Sequence, residues 1–370
     1  MDQGQYTGSV FVDLQKAFDL VDTDILLQKL LLLGVTCESL QWFRSYLVDR
    51  KIVTCINDVV SDALPLTGGV PQGSLLGPLL FVIFINDMPH SFEECKIHLY
   101  ADDTVLYYSH KNPSVVQSVL NEELARLDTW ISRNKLKINY SKTVGMLIAT
   151  TKLLKKQDKL VLKVRGRDII QMHNTKYLGV IIDSELKWNI HIENMCKKIG
   201  KMVGFLGRLR HYVNETNLKI IYQSVILPHF EYADNVWSSS SDKYLDRLQK
   251  LQNRAGRIIL KINRQSYISN QQLHGILKWD TLSLRRTKHM HVMMFKILHG
   301  LTPNYINENV SFRVTRYSLR SQFNLALPKP RTNYCKRTFV YRGSVLYNGL
   351  PLALRNCNTL SSFKRLLSCL

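Results

Sequence analysis

The chain lacks the marks of a secreted or membrane-spanning protein. Its first ten residues, MDQGQYTGSV, hold neither a basic stretch nor an apolar core, so they do not read as a secretory signal. The longest apolar runs, LLLLGV at 30–35 and LLFVIFI at 79–85, fall far short of the ~20 residues a spanning helix needs. Cysteine is sparse: Cys37, Cys55, Cys95, Cys196, Cys335, Cys357 and Cys369 are an odd count, scattered, with no CxxC and no zinc-type Cys/His spacing. This predicts reduced thiols in an intracellular protein, in the nucleus or the cytoplasm. The phosphate-loop pattern GxxxxGK[ST] is missing, which excludes a Walker-type NTPase. No repeat of fixed period and no low-complexity tract stands out.

Acid is scarce, but only in one part of the chain. Over 370 residues, 50 Lys+Arg against 29 Asp+Glu leave a net charge of +21. Residues 1–150 hold 12 basic and 17 acidic side chains, and residues 151–370 hold 38 and 12, so the front is −5 and the back is +26. Such an excess favours a polyanion, nucleic acid or an anionic membrane surface. A polyanion binder with an acidic front has a use for carboxylates that hold cations. With 45% hydrophobic residues the chain can bury a core, and its length suits two or three domains.

Periodicity orders the segments. SVFVD at 9–13 reads as a buried strand ending on Asp13, followed by a helix capped by Asp22 or Thr23 and closed by Gly34. Another helix over 38–48 carries Trp42, Phe43, Tyr46 and Leu47, a strand pair follows near 51–66, and a helix covers 76–86. KIHLYADDTVLYYS (96–109) reads as a hairpin with Asp102 and Asp103 at its tip. Val116, Val119, Leu120, Leu124, Leu127 and Ile131 give 113–134 a helical stripe, and strands follow around 137–149, 160–170 and 176–183. Beyond Lys187 long helices are expected at 188–211, 215–227, 242–262 and 280–300. In the first of them Ile192, Met195, Ile199, Met202, Phe205 and Leu209 form the stripe, with Lys197, Lys198 and Lys201 largely off it.

Two adjacent aspartates in a tight turn repel one another, and a hairpin tip ordinarily prefers Asn-Gly or Asp-Gly. A cation would offset that cost. Together with Asp13, the pair could hold two Mg²⁺ ions ~3.5–4 Å apart for phosphoryl chemistry. Taken singly, each site also reads as a solvated turn. Between them GGVPQGSLLGPLLF (68–81) packs four glycines and two prolines into fourteen residues, a fixed loop with close backbone approach.

In order and spacing, FVDLQKAFD (11–19), GVPQGSLLGPLLF (69–81), YADDTVL (100–106), WISRNKLKINYSKTVGMLI (130–148) and KYLGVIID (176–183) resemble the successive palm motifs of non-LTR (LINE-type) reverse transcriptases. RTKHMHVMMFKILHGLTP (286–303) and CKRTFVYRGSVLYNGLP (335–351) are similar to segments downstream of the palm in jockey-like elements. The resemblance implies an α+β fold: a right-hand polymerase palm, an antiparallel sheet with packed helices, over 1–186, a helical thumb-like region over 187–270 and a basic C-terminal region over 271–370. It implies an RNA-directed DNA polymerase that extends a DNA primer on an RNA template with deoxynucleoside triphosphates, aided by two Mg²⁺ or Mn²⁺ ions.

By the same resemblance Asp13 and Asp102 bind the metals, with Asp103 beside them. Phe18 matches an aromatic gate beneath the incoming sugar, or is a core phenylalanine. Gln72 and Gly73 match the motif that contacts nucleotide and template. Lys142 matches a lysine that protonates leaving pyrophosphate, or is an exposed lysine before a strand. Tyr177, Leu178 and Gly179 match a primer-grip turn, or are a buried hairpin. The basic helices would hold the duplex by its phosphates. Because only twelve residues precede Asp13, the fingers that family members carry ahead of this motif are expected to be largely missing, and the isolated chain impaired. The alternative is a non-catalytic, nucleic-acid-binding remnant of a mobile element. A membrane-surface protein accounts only for the charge.

Overall fold

In the strand Tyr6–Val12, side chains alternate, so Tyr6, Gly8, Val10 and Val12 share one face and all four are buried. Gly8 leaves no room for more: a Cβ there would lie 2.5 Å from Leu120 Cδ1 and 2.6 Å from Val116 Cγ1. The helix Pro113–Arg133 therefore rests directly on the strand, presenting Val116, Val119, Leu120, Leu124, Leu127 and Ile131 inward, as its period predicts. Asn112 caps this helix by accepting from Ser114 N at 2.9 Å, and Pro113 opens it.

The structure is a computed structural model and describes residues 1–262, 268–313 and 324–369. Tyr6–Val12 is the middle of a five-stranded sheet, antiparallel to Asp103–His110 on one side and to Val144–Ile148 on the other. Lys96–Tyr100 adds an antiparallel edge, and Ile170–Gln171 a parallel one. The parallel pair escapes sequence reasoning because nothing local marks it. Thr23–Leu32 is capped as expected, with Asp22 Oδ1 accepting from Ile25 N at 3.0 Å and Gly34 at φ +92°. The helix Cys37–Leu47 departs from its expected apolar face. Only Leu47 is buried, while Trp42 is 53% exposed and stacks on Tyr46. The expected strand pair is two short ladders, Lys51–Ile52 with Leu64–Pro65 and Cys55–Ile56 with Val59–Val60, whose residues are all exposed.

The chain divides at Gly179 and Val180 into two compact units. Among its described residues the second is mainly helical, with the strand Val180–Asp183 and an isolated antiparallel bridge between Phe312 and Leu325. In the helix Asn189–Leu209 the buried apolar residues are Ile192, Ile199, Val203 and Leu206, whereas Phe205, expected inside, is 51% exposed. A stripe drawn at strict three- and four-residue steps drifts off a real helical face. Glu215–Ile221 does not stop before Pro228: it runs through a π-helical turn, Tyr222–Ile226, into Leu227–Glu231. That wider turn accommodates the residue lacking an N–H. Asp242–Ile259 and Leu282–Leu298 follow as expected, and Asn270–Leu277, Phe339–Asn348 and Leu360–Leu367 add to them. Among the described residues no helix is long and apolar enough to cross a membrane. All seven cysteines are free thiols.

Candidate active site

Alternation carries past the end of the central strand. Val12 and Leu14 are buried in the core, so Asp13 between them points to the opposite face, the one bearing Ser9 and Phe11. Val12 pairs with Thr104 and Tyr100 with Asp103, which sets the aspartates of the hairpin tip beside Asp13. Ala101 makes the tip by adopting φ +51°. A left-handed alanine costs roughly 1–2 kcal/mol, and such strain gathers at functional sites.

The segment NYSKT folds against this point. Asn139 N donates to the Asp13 carbonyl at 2.8 Å, and Asp13 N donates to Thr143 Oγ1 at 3.2 Å. The turn brings Lys142 Nζ to 4.0 Å from Asp13 Oδ2. Lys142 is 70% exposed at its side chain, so the pair is a loose surface contact rather than a clamp.

Glycines shape the remaining wall. Gly69 sits at φ +83°, and a Cβ there would be 2.9 Å from the Asp19 carbonyl oxygen. Val70 N donates to the Phe18 carbonyl at 2.9 Å, locking the loop onto the segment after Asp13. Gly77 would place a Cβ 2.4 Å from the Pro71 oxygen. Gln72 Nε2 donates to Asp19 Oδ1 at 2.7 Å, so its side chain is held. Phe18 stacks on the buried Phe81 with ring centroids 4.4 Å apart.

Asp13, Phe18, Gln72, Asp102 and Lys142 line one pocket of about 680 Å³. Asp103 and Gly73 are not among its lining residues, nor are Tyr177, Leu178 and Gly179. Leu178 and Gly179 turn at φ +44° and +80°, and the Tyr177 ring lies 5.6 Å from that of Phe11. Phe18 thus packs on the core and also lines the pocket. Lys16, Lys137 and Asn139, not singled out from the sequence, also line it. Their signal lay inside the recognised segments, as basic or amide residues flanking Asp13 and the NYSKT turn.

Burial and the charges of Asp102 and Asp13 raise the Asp103 carboxyl above the usual range. That repulsion is what a divalent cation would relieve. Among the described residues no three His, Cys, Asp or Glu side chains stand close enough to hold an ion by themselves. Magnesium does not need such a cage, because in phosphoryl-transfer sites one or two carboxylates hold it while substrate phosphates and water complete the octahedron. Asp13 and Asp102 fit that requirement.

Residues 1–182 match the reverse transcriptase (RNA-dependent DNA polymerase) family. The chain is similar to the probable RNA-directed DNA polymerase from transposon X-element of Drosophila melanogaster, 26% identical over 78% of this chain and 32% of that protein. It is 30% identical to the probable RNA-directed DNA polymerase from transposon BS of the same species, again over 78% and 32%. With the RNA-directed DNA polymerase from its mobile element jockey it shares 29% identity over 68% and 28%. The chain spans about a third of the length of these curated relatives. With Asp13 and the YADD turn side by side on an antiparallel sheet, residues 1–182 are a LINE-type reverse transcriptase domain, of the kind found in non-LTR retrotransposons.

Proposed function

We propose that this chain carries the polymerising centre of an RNA-directed DNA polymerase, extending a DNA primer on an RNA template. The observation that carries the reading is the lining of one pocket by both signs of charge: Asp13 and Asp102 with Lys16, Lys137 and Lys142. Carboxylates alone would repel a triphosphate, and lysines alone would not activate a primer hydroxyl. Asp13 and Asp102 would hold the Mg²⁺ or Mn²⁺ ions, which when bound lower the pKa of the attacking hydroxyl and neutralise the leaving phosphate.

The chain's own residues do the positioning. Lys16, Lys137 and Lys142 attract the phosphates, and Lys142 gives a proton to departing pyrophosphate. Phe18, fixed by Phe81 behind it, forms a wall against which a deoxyribose fits and a 2′-OH collides. Gln72, held by Asp19, and Gly73 at the exposed loop face the nucleotide and template, with Asp103 tuning the charge beside the metals. Tyr177, Leu178 and Gly179 support the primer end. Residues 1–186 serve as palm, 187–270 as a thumb-like region and 271–370 as a basic C-terminal region on the nucleic acid. The chain acts inside the cell, in a ribonucleoprotein of the nucleus or cytoplasm.

Primer extension on an RNA template, with and without Mg²⁺, tests this. Asp102→Asn keeps the shape and removes the charge, and should lower incorporation by about 10³-fold or more. Undiminished extension by that variant would remove the two-metal mechanism. Tight template binding with no incorporation by the unaltered chain would leave the non-catalytic reading standing.

A further inference from the structure

Away from the sheet, within the helical unit, a second polar pocket of about 350 Å³ lies at the N-termini of two helices. Asp242 and Leu245 belong to the first turn of Asp242–Ile259, and Ser238, Ser239 and Ser240 lead into it. Ser283, Arg286 and Thr287, at helical spacing, are one face of the start of Leu282–Leu298. Lys336, Arg337 and Arg342 close the other side. Four cations thus meet one carboxylate, and several hydroxyls stand between them.

Arg286 is the decisive residue. It is 9% exposed, and among the described residues its side chain makes no hydrogen bond and no ion pair within 4.0 Å, its Nη1 being buried without a partner. Asp234 is near enough to favour its charge, but Asp234 Oδ2 is already bonded to His289 Nδ1 at 2.5 Å. The half-buried Arg342 side chain donates from Nη1 to the Ser238 hydroxyl at 2.9 Å, its one hydrogen bond among the described residues. Burial lowers the pKa of both guanidiniums, the cost of holding cations away from water. The helix Asp242–Ile259 begins at Ser241 with no side-chain cap, so its first N–H groups also lack a partner from that side chain. Dipole, hydroxyls and planar guanidiniums together suit a tetrahedral oxyanion.

We propose that this pocket is a phosphate site, distinct from the polymerising centre, that seats one phosphate group on Arg286, Arg342, Lys336 and Arg337. Its source is a phosphate of a nucleic-acid strand or a free one. The strand source rests on the proposed function, whereas the pocket itself does not.

Two assays on the full chain separate these points. In the first, thermal melting is followed with inorganic phosphate against chloride at matched ionic strength. Phosphate should raise the melting temperature saturably. Arg286→Gln should abolish the rise, and Lys336→Ala with Arg337→Ala, both exposed and harmless to the core, should weaken apparent affinity about tenfold. No phosphate-specific rise in the unaltered chain, or a rise untouched in the double variant, overturns the site.

The second assay measures binding of a fluorescent single-stranded RNA 12-mer, with Lys155→Ala and Lys156→Ala, both exposed and outside the basic helices, as a control of equal charge loss. A greater loss of affinity in the Lys336/Arg337 variant identifies the strand as the source, and an equal loss identifies a free phosphate. Should RNA fail to bind at all while the phosphate rise persists, the pocket stands and the proposed nucleic-acid function falls.

Discussion

The two units hold similar numbers of charges and use them in opposite ways. Residues 1–179 contain 20 basic and 19 acidic side chains, nearly balanced, and many are paired, as in Lys29–Asp87, Lys135–Asp22 and Arg165–Asp128. Residues 180–370 contain 30 and 10, so at least twenty cations have no acid to meet. The first unit concentrates both signs at one point, as the proposed meeting of metal and triphosphate requires. The second spreads one sign over helices, an arrangement that suits the proposed grip on a long polyanion. Chemistry needs the former arrangement, and grip needs only the latter.

Three perturbations would break or sharpen that contrast. The largest effect is expected at Gly77. A methyl there meets the Pro71 backbone oxygen at 2.4 Å, and a backbone atom cannot rotate away. Gly77→Ala should cost about 3 kcal/mol and displace the Gln72 wall, so urea unfolding should shift and incorporation fall while RNA binding stays. A variant as stable and active as its parent would show the loop to be soft.

An intermediate effect concerns grip. Binding of RNA should weaken steeply with salt, with a log-log slope of about −0.7 to −0.9 per phosphate neutralised. Replacing Lys197, Lys198 and Lys201, all on the exposed side of one helix, by alanine should flatten that slope by about 2 if they touch phosphate. A slope unchanged by the triple variant would move the grip elsewhere.

The smallest effect is in pH, where the units should diverge. Asp103 has a raised pKa, from burial and then from Asp102 and Asp13, so its proton is held more tightly when folded. Stability is then lost as pH rises from 3.8 through the raised value, and Asp103→Asn should recover about 1–2 °C of melting temperature at pH 7. His289 is raised by its hydrogen bond to Asp234, with burial opposing. Its contribution is whole below 6.5 and disappears as pH climbs through the raised value, and His289→Gln should remove that dependence. Melting curves from pH 3 to 9 read both. An Asp103→Asn variant that melts lower at pH 7 would contradict the repulsion at the hairpin tip.

The site was more legible than the fold around it. Asp13, Asp102 and the glycine loop announce themselves because each sits in a short segment whose wording is dictated by backbone geometry. Lys16 and Lys137 lie in the same segments but carry no such constraint, and only folding brings them to the pocket. Helix 113–133 was readable because its stripe is broad and its cap is local. The edge pairing of Ile170 with Val144 was not, since two residues of parallel strand leave no period. The helix through Pro228 misled because proline ordinarily ends a helix, and the π-turn that absorbs it has no signature of its own. Arg286 carries no sequence signal of its own, and only its burial sets it apart.

The central place of Tyr6–Val12 has a consequence for the order of events during synthesis. Its two neighbours in the sheet, Asp103–His110 and Val144–Ile148, lie about 100 and 140 residues downstream. At a translation rate of about 5–20 residues per second, the strand waits roughly seven to thirty seconds for its second partner. During that time both its edges are open to any other strand, its own hairpin ladders at 51–65 included. Such distant closure is slow and prone to trapping, so yield during expression should respond to translation speed and to chaperones more than to the stability of the finished sheet.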